Sequence, residues 1–151
     1  MRAYIRKMTA DDKSSVLEMM RPFYASEYVS TNGSEEIFNA DITACVSDSP
    51  YAEGFVFECD REILGYAMIA KSFSTEFGRP CIWIEDIYVK EEFRNCGLGG
   101  KFFEFIESEY PDTLLRLEVE AENERALHVY EKAGFDFFPY LEMKKLCGGK
   151  K

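Results

Sequence analysis

The stretch Trp83–Phe105, WIEDIYVKEEFRNCGLGGKFFEF, constrains this chain more than any other. Ile82, Ile84, Ile87 and Val89 make an apolar, β-branched run that suits a strand. A charged turn follows, then the small-residue loop Arg94-Asn95-Cys96-Gly97-Leu98-Gly99-Gly100, then a helical run with Phe102, Phe103, Phe105 and Ile106. A strand, a glycine-rich turn and a helix start in this order suit a ligand that carries phosphate. Glycines let the backbone approach closely, and the unpaired N–H groups of a helix N-terminus attract an anion.

The remaining sequence builds a sheet around that unit. Residues 2–8 alternate as a first strand. Thr9 reads as an N-cap with Asp11 and Asp12 in the first turn, and Val16, Leu17, Met20 and Phe23 or Tyr24 recur at helical spacing to residue 25. Pro22 late in that run ends or kinks the helix. Ser34-Glu35-Glu36 opens a second helix that runs to Ser47 and stops before Pro50. Phe55–Cys59 and Ile63–Ile69 flank the turn Asp60-Arg61-Glu62 as a hairpin. After a loop over residues 74–80 come the strand Cys81–Val89, the glycine loop and a helix closed by Pro111-Asp112. A strand at Leu114–Val119, a helix over Asn123–Ala133 ended by Gly134, and one or two strands within Phe135–Leu146 complete the pattern. The order β-α-α-β-β-β-α-β-α-β predicts an α/β fold, one domain over residues 1–147 with a frayed tail at 148–151.

Bulk properties narrow the partners. Hydrophobic residues at 46% and charged residues at 30% of 151 are a globular balance, with no apolar run near the roughly 18 residues of a membrane span. The N-terminus lacks a signal-peptide core, so a cytoplasmic protein is expected. Five cysteines without a C-x-x-C pair, and a single histidine, predict reduced thiols and no metal. Cys96 reads either as a reactive loop thiol or as a small tolerated side chain. A net charge of −10 argues against nucleic acid or an anionic membrane and fits a cationic substrate. Long-range repulsion of an anionic cofactor is screened beyond about 8 Å, which leaves Lys90, Arg94 and Lys101 as local donors.

Three glycine-loop patterns compete. A P-loop needs a hydroxyl after Gly100-Lys101, where the chain has Phe102. A dinucleotide fingerprint needs a third glycine, again at Phe102. The pattern R-x-x-G-x-G is met by Arg94, Gly97 and Gly99. With it the sequence resembles the GCN5-related N-acetyltransferases, whose cofactor loop [RQ]-x-x-G-x-[GA] follows the fourth strand. Their second signature is matched by Asn123-x-x-Ala126-x-x-x-Tyr130-x-x-x-Gly134-Phe135. The resemblance spans residues 53–140 by motif and the two N-terminal helices by topology. One departure is Asn95, where the family usually has glycine.

The resemblance implies a mixed central sheet with splayed central strands flanked by helices, and acetyl-CoA as cosubstrate. Backbone N–H groups of Asn95, Cys96, Gly97, Leu98, Gly99, Gly100 and Lys101 would cradle the pyrophosphate, with Arg94 ordering the loop. The strand edge Ile87-Tyr88-Val89 would pair with the pantetheine amides, and an N–H near Ile87 would polarise the thioester carbonyl. Asn123 would bond the pantetheine arm. Asn123, Ala126, Leu127 and Tyr130 share one helix face. Tyr130 would protonate the departing thiolate, although a core tyrosine fits the pattern too. His128 falls off that face and is expected in solvent.

Strand alternation allows only one of Glu85 and Asp86 to reach the reacting centre, and Glu85 is favoured as base or as cation anchor. The segment Ile82–Val89 is similar to the diamine and polyamine branch of the family. Tyr24, Glu27 and Tyr28, at the connector after the first helix, and Glu118 are further candidates for the amine pocket. The expected activity is direct acetyl transfer to a small cationic amine such as a diamine, polyamine or amino-acid analogue. Acetylation of a protein lysine or N-terminus is the alternative enzyme, and a noncatalytic acyl-CoA sensor the alternative of another class. Homodimerisation through the aromatic stretch Phe135–Tyr140 competes with core packing there.

Overall fold

A computed structural model describes residues 2–26 and 33–148. In chain order the elements are β1 (Tyr4–Lys7), α1 (Lys13–Tyr24), α2 (Glu35–Val46), β2 (Ala52–Cys59), β3 (Glu62–Ser74), β4 (Arg79–Val89), α3 (Leu98–Glu109), β5 (Leu114–Leu117) and α4 (Glu124–Lys132). The strands form one sheet in the order β1-β2-β3-β4-β5, antiparallel except for the parallel pair β4–β5. This is the mixed sheet flanked by helices that the sequence implied. No helix among the described residues is long and apolar enough to cross a membrane.

Local chemistry accounts for the boundaries. Thr9 caps a short 3-10 turn, Ala10–Asp12, that feeds α1, and its N–H donates to the Asp12 carboxylate at 2.8 Å. Arg6 clasps both oxygens of Asp12 at 2.8 Å and reaches Glu58 at 2.9 Å, tying β1 to that turn and to β2. The hydroxyl of Ser34 accepts from the Ile37 N–H and starts α2. Asp60 and Arg61 both take positive φ, 49° and 67°, which closes the β2–β3 hairpin in the hand that matches strand twist. At Gly65 an added Cβ would sit 2.4 Å from the Tyr88 carbonyl oxygen, so only glycine lets β3 lie this close to the end of β4.

Each face of the sheet has its own core. Phe55, Phe57, Leu64, Ile82 and Ile84 pack against Phe102 and Ile106 of α3, with Tyr130 and Phe135 partly buried beside them. On the other face Val56, Tyr66 and Met68 meet Val16, Met19 and Met20 of α1 and Phe38 and Ile42 of α2.

Two expectations need correction. Residues 135–146 form no strand; Phe137, Leu141, Met143 and Leu146 are exposed, Leu141 at 96%. Their apolar pattern suits a strand, but the segment pairs with no strand among the described residues. β5 ends at Leu117 instead of Val119, because its pairing with β4 stops where β4 departs from it.

Candidate active site

The parallel pairing of β4 with β5 runs only from Cys81–Leu114 to Ile84–Leu117. Beyond Ile84, residues 85–89 of β4 have β3 on one side and, among the described residues, no strand on the other. The free edge therefore lies at Ile87-Tyr88-Val89, where unpaired backbone groups can take an extended ligand as an added strand. Ile87 and Val89 anchor this edge in the α3-side core, and Tyr88 anchors it in the opposite core.

The edge runs straight into the glycine loop. Arg94 Nε donates to the Val89 carbonyl at 2.8 Å, and its guanidinium lies over the Tyr88 ring at 5.4 Å. Asn95 takes φ 64° and Gly97 φ 78°, so asparagine occupies the left-handed region that glycine enters most readily and asparagine tolerates. Gly97 precedes α3, leaving the N–H groups of Leu98, Gly99 and Gly100 without intrahelical acceptors. At Gly97 and Gly100 an added Cβ would meet nothing within 4 Å, so the space beside these glycines is open. Lys101 leaves the donor set. Its N–H bonds to the Gly97 carbonyl at 3.0 Å, and its ammonium is held by the Ala3 carbonyl of the β1 side. Cys96 is exposed beside the Arg94 carbonyl.

On the far side of the free edge, the Asn123 carboxamide oxygen accepts from the Ala126 N–H at 3.2 Å and caps α4. That cap fixes the helix face carrying Tyr130. The Tyr130 ring packs edge-on against Phe103 and Phe135, 5.8 and 6.2 Å between centroids, and burial raises its pKa. The phenol is therefore fully protonated at neutral pH, as a proton donor must be. His128 is exposed.

The two neighbouring acids of β4 do not obey simple alternation. The register shifts opposite Met68 and Ile69, so that Met68 faces Asp86, Ile69 faces Ile84, and Glu85 is an extra residue in a bulge. Ile84 and Ile87 consequently share one face while Asp86 and Tyr88 share the other. Asp86 is 4% exposed and accepts from the hydroxyls of Tyr24 and Tyr66, each at 2.8 Å. Burial raises its pKa, and these two hydrogen bonds oppose the rise. Tyr24, expected in the amine pocket, thus has its hydroxyl committed to Asp86. Glu27 and Tyr28 lie outside the described residues.

Glu85 belongs to a second acidic group. Though the residue is exposed, partial burial of its carboxyl, then Asp86 and Glu142, raise its pKa. Glu118, just beyond β5, is pushed up to about 7 by a hydrogen bond to Glu142, then by burial and by the charges of Glu142 and Glu85. Glu118, Glu142, Trp83 and Tyr130 line one cavity of about 240 Å³ between β5, α4 and the C-terminal segment. Across the sheet from Glu85, burial, then Asp86 and Glu85, raise Asp41 of α2 to about 6.

Sequence reasoning does not single out Tyr66, Asp41 or Glu142. A tyrosine amid the apolar run of β3 is the available signal for Tyr66. Nothing in the sequence ties Glu142 to Glu118, because their meeting depends on how an irregular segment returns past β5.

The acetyltransferase (GNAT) family matches this chain over residues 15–135. The thialysine N-epsilon-acetyltransferase of Bos taurus is 31% identical over 143 residues, covering 86% of this chain and 82% of its own length. Among solved structures, a possible acetyltransferase from Clostridium difficile 630 superposes with a TM-score of 0.79 at 19% identity, covering 95% of this chain and 97% of that one. AAC(6')-Iy, solved in complex with a bisubstrate analogue, superposes with a TM-score of 0.77 at 15% identity over 97% and 100% of the two chains.

Proposed function

The chain belongs to the acetyltransferase (GNAT) family, and we propose that it transfers the acetyl group of acetyl-CoA directly to a small cationic amine. The observation that carries this reading is the junction at Ile84. One strand edge is set free there, with the unpaired amides of a helix start at one end and Tyr130 and three glutamates at the other. Residues 1–147 act as one N-acetyltransferase domain.

The N–H groups of Leu98, Gly99 and Gly100 hold the pyrophosphate, and the 87–89 edge orients the pantetheine arm. Acetyl-CoA supplies the activated acyl carbon. Glu85 takes a proton from the acceptor ammonium, directly or through a water, and its raised pKa suits that task. The amine nitrogen then bonds to the acyl carbon as the carbon–sulfur bond breaks. The Ile87 N–H stabilises negative charge on the acyl oxygen, Tyr130 gives its proton to the departing sulfur, and the nitrogen releases its second proton through water to the Tyr130 phenolate, which restores the phenol.

The acceptor reading, a diamine, polyamine or amino-acid analogue, is supported by the acidic wall and by the activity that names the bovine relative. A cytoplasmic location is supported by five free thiols. A homodimer is supported by the exposed Leu141, Met143 and Leu146, apolar surface that a second copy would cover. A panel of small amines with acetyl-CoA, read by release of free thiol, tests the reading. Turnover with at least one amine is expected; no thiol release with any of them would overturn it.

A further inference from the structure

Asp86 is a carboxylate buried without a counter-charge. It is 4% exposed, and among the described residues no cation comes within 4.0 Å of it. Taking a carboxylate out of water is unfavourable unless an opposite charge offsets it. An apolar side chain beside Tyr66 would fill the space without that penalty.

The surroundings keep the charge in place. Oδ1 accepts from the Tyr24 hydroxyl of α1 and Oδ2 from the Tyr66 hydroxyl of β3, each at 2.8 Å. Burial, then the charge of Asp86, raise the pKa of both phenols, so each keeps its proton and donates it. Two donors on two oxygens favour the ionised form; a protonated Asp86 would set its own O–H against one of them.

The bulge in β4 decides what this charge acts on. Glu85 is the extra residue of the bulge and the chain neighbour of Asp86, their Cα atoms about 3.8 Å apart. Acids and phenols face the pair from every packed element: Tyr24 of α1, Asp41 of α2, Tyr66 of β3, Glu118 beyond β5 and Glu142 of the C-terminal segment. Of the two charges that act on Glu85, Asp86 has the larger effect and Glu142 the smaller. The charge of Asp86 also raises Asp41 and Cys45, while none of these neighbours raises Asp86 in return. Asp86 therefore ionises first, and the others titrate in its field.

We propose that Asp86 is a positioning residue for the transfer: its buried charge, fixed behind the bulge by Tyr24 and Tyr66, is what lets Glu85 draw a proton from the acceptor ammonium. The inference rests on the reading of Glu85 as the base and deepens it. A solvated glutamate holds a proton too weakly to take one from an amine at useful rates. A fixed negative charge behind it strengthens that hold. The proton passes from the ammonium to Glu85, and Asp86 and the two phenols neither gain nor lose one.

The test is a double-mutant cycle, assayed with spermidine and with S-(2-aminoethyl)-L-cysteine. Asp86→Asn keeps the shape and removes the charge. It should lower kcat/KM about tenfold near neutral pH, part of what a positioned base contributes. The acid limb of the profile, identified as the one that Glu85→Gln abolishes, should move to lower pH. Asp86→Asn added to Glu85→Gln should change kcat/KM less than about twofold, because the group it acts through is already gone. A purely structural Asp86 would carry the same loss into both backgrounds and leave the acid limb in place; either result overturns the inference and leaves Glu85 as the base. Native kcat/KM and a native profile in Glu85→Gln overturn the base reading, and this inference with it. A titration of the native enzyme labelled with carbon-13, followed by NMR at the side-chain carboxyls, needs neither a variant nor a substrate. Asp86 should lose its proton at lower pH than Glu85, and the reverse order overturns the inference even if Asp86→Asn fails to fold.

Discussion

The loop after β4 and the wall beyond β5 handle charge by opposite means. At the loop the donors are peptide N–H groups of Leu98, Gly99 and Gly100, fixed by the start of a helix, with open space beside Gly97 and Gly100. At the wall the groups are side chains, Glu85, Glu118 and Glu142, drawn from a bulge, a strand end and an irregular segment. Peptide dipoles keep their polarity at every pH. Crowded carboxylates do not; Glu118 is pushed up to about 7 first by a hydrogen bond to Glu142, then by burial and by the charges of Glu142 and Glu85. A site made of backbone is thus ready before its ligand arrives. A site made of like charges is completed by the cation it binds.

The two halves meet at Tyr130, and the largest expected effect tests that meeting. Tyr130→Phe keeps the ring that packs on Phe103 and Phe135 and deletes only the hydroxyl. Turnover should fall about 10²- to 10⁴-fold, the usual contribution of a positioned acid, with coenzyme A affinity nearly unchanged by calorimetry. Turnover near the native rate would return Tyr130 to the core and leave the halves chemically unconnected.

Next in size is the carboxylate that belongs to neither half. Asp86 lies behind the wall with no cation partner among the described residues and two phenols donating to it. It pins the C-terminal end of α1 and the middle of β3 to the residue after the bulge, and so holds Glu85 outward. Asp86→Ala strands two partly or fully buried hydroxyls and should cost about 2–3 kcal/mol of stability in urea unfolding. An unchanged midpoint would mean that the phenols find water instead, and that the wall has no rigid backing.

The loop was legible in the sequence because its shape rests on glycine spacing at a strand–helix junction, which Gly97 and Gly99 carry openly. The cap at Asn123 and the face shared with Tyr130 were equally readable, since four residues at helical spacing define a face by themselves. The wall was only half readable. Period-2 alternation predicted that Glu85 and Asp86 diverge, but a bulge changes the period, and no residue in Ile84-Glu85-Asp86-Ile87 announces one. Glu118 could be named as a strand-end acid. Its partner Glu142 could not, because residues 135–146 read as strand by composition yet pair with no strand among the described residues.

A smaller effect sharpens the backbone side of the contrast. Gly97 holds φ 78°, where a side chain costs about 1–2 kcal/mol. Gly97→Ala has room for its methyl, so strain alone is at issue. Coenzyme A should bind about tenfold more weakly, with KM for the amine within twofold. An equal loss on both substrates would show that loop and wall are not separable.

The smallest effect addresses the wall's charge directly. Below about 7 the Glu118–Glu142 pair retains a proton, and above it the pair is fully anionic. The kcat/KM for a cationic amine should therefore rise as pH increases through 7, by a few-fold over what amine ionisation alone gives. Glu142→Ala removes the largest cause of the shift and should move that inflection toward the ordinary glutamate value of about 4.3. Stability runs the other way. The folded state holds this proton more tightly than the unfolded chain, so the pair's contribution is greatest below about 4 and declines as pH rises toward 7. Because Glu118 is exposed, solvent screening keeps the stability change small. The kinetic inflection and the thermal midpoint should thus move in opposite directions between pH 5 and 8. In Glu142→Ala both trends should flatten together; flattening of one alone would separate the proton on Glu118 from recognition of the amine.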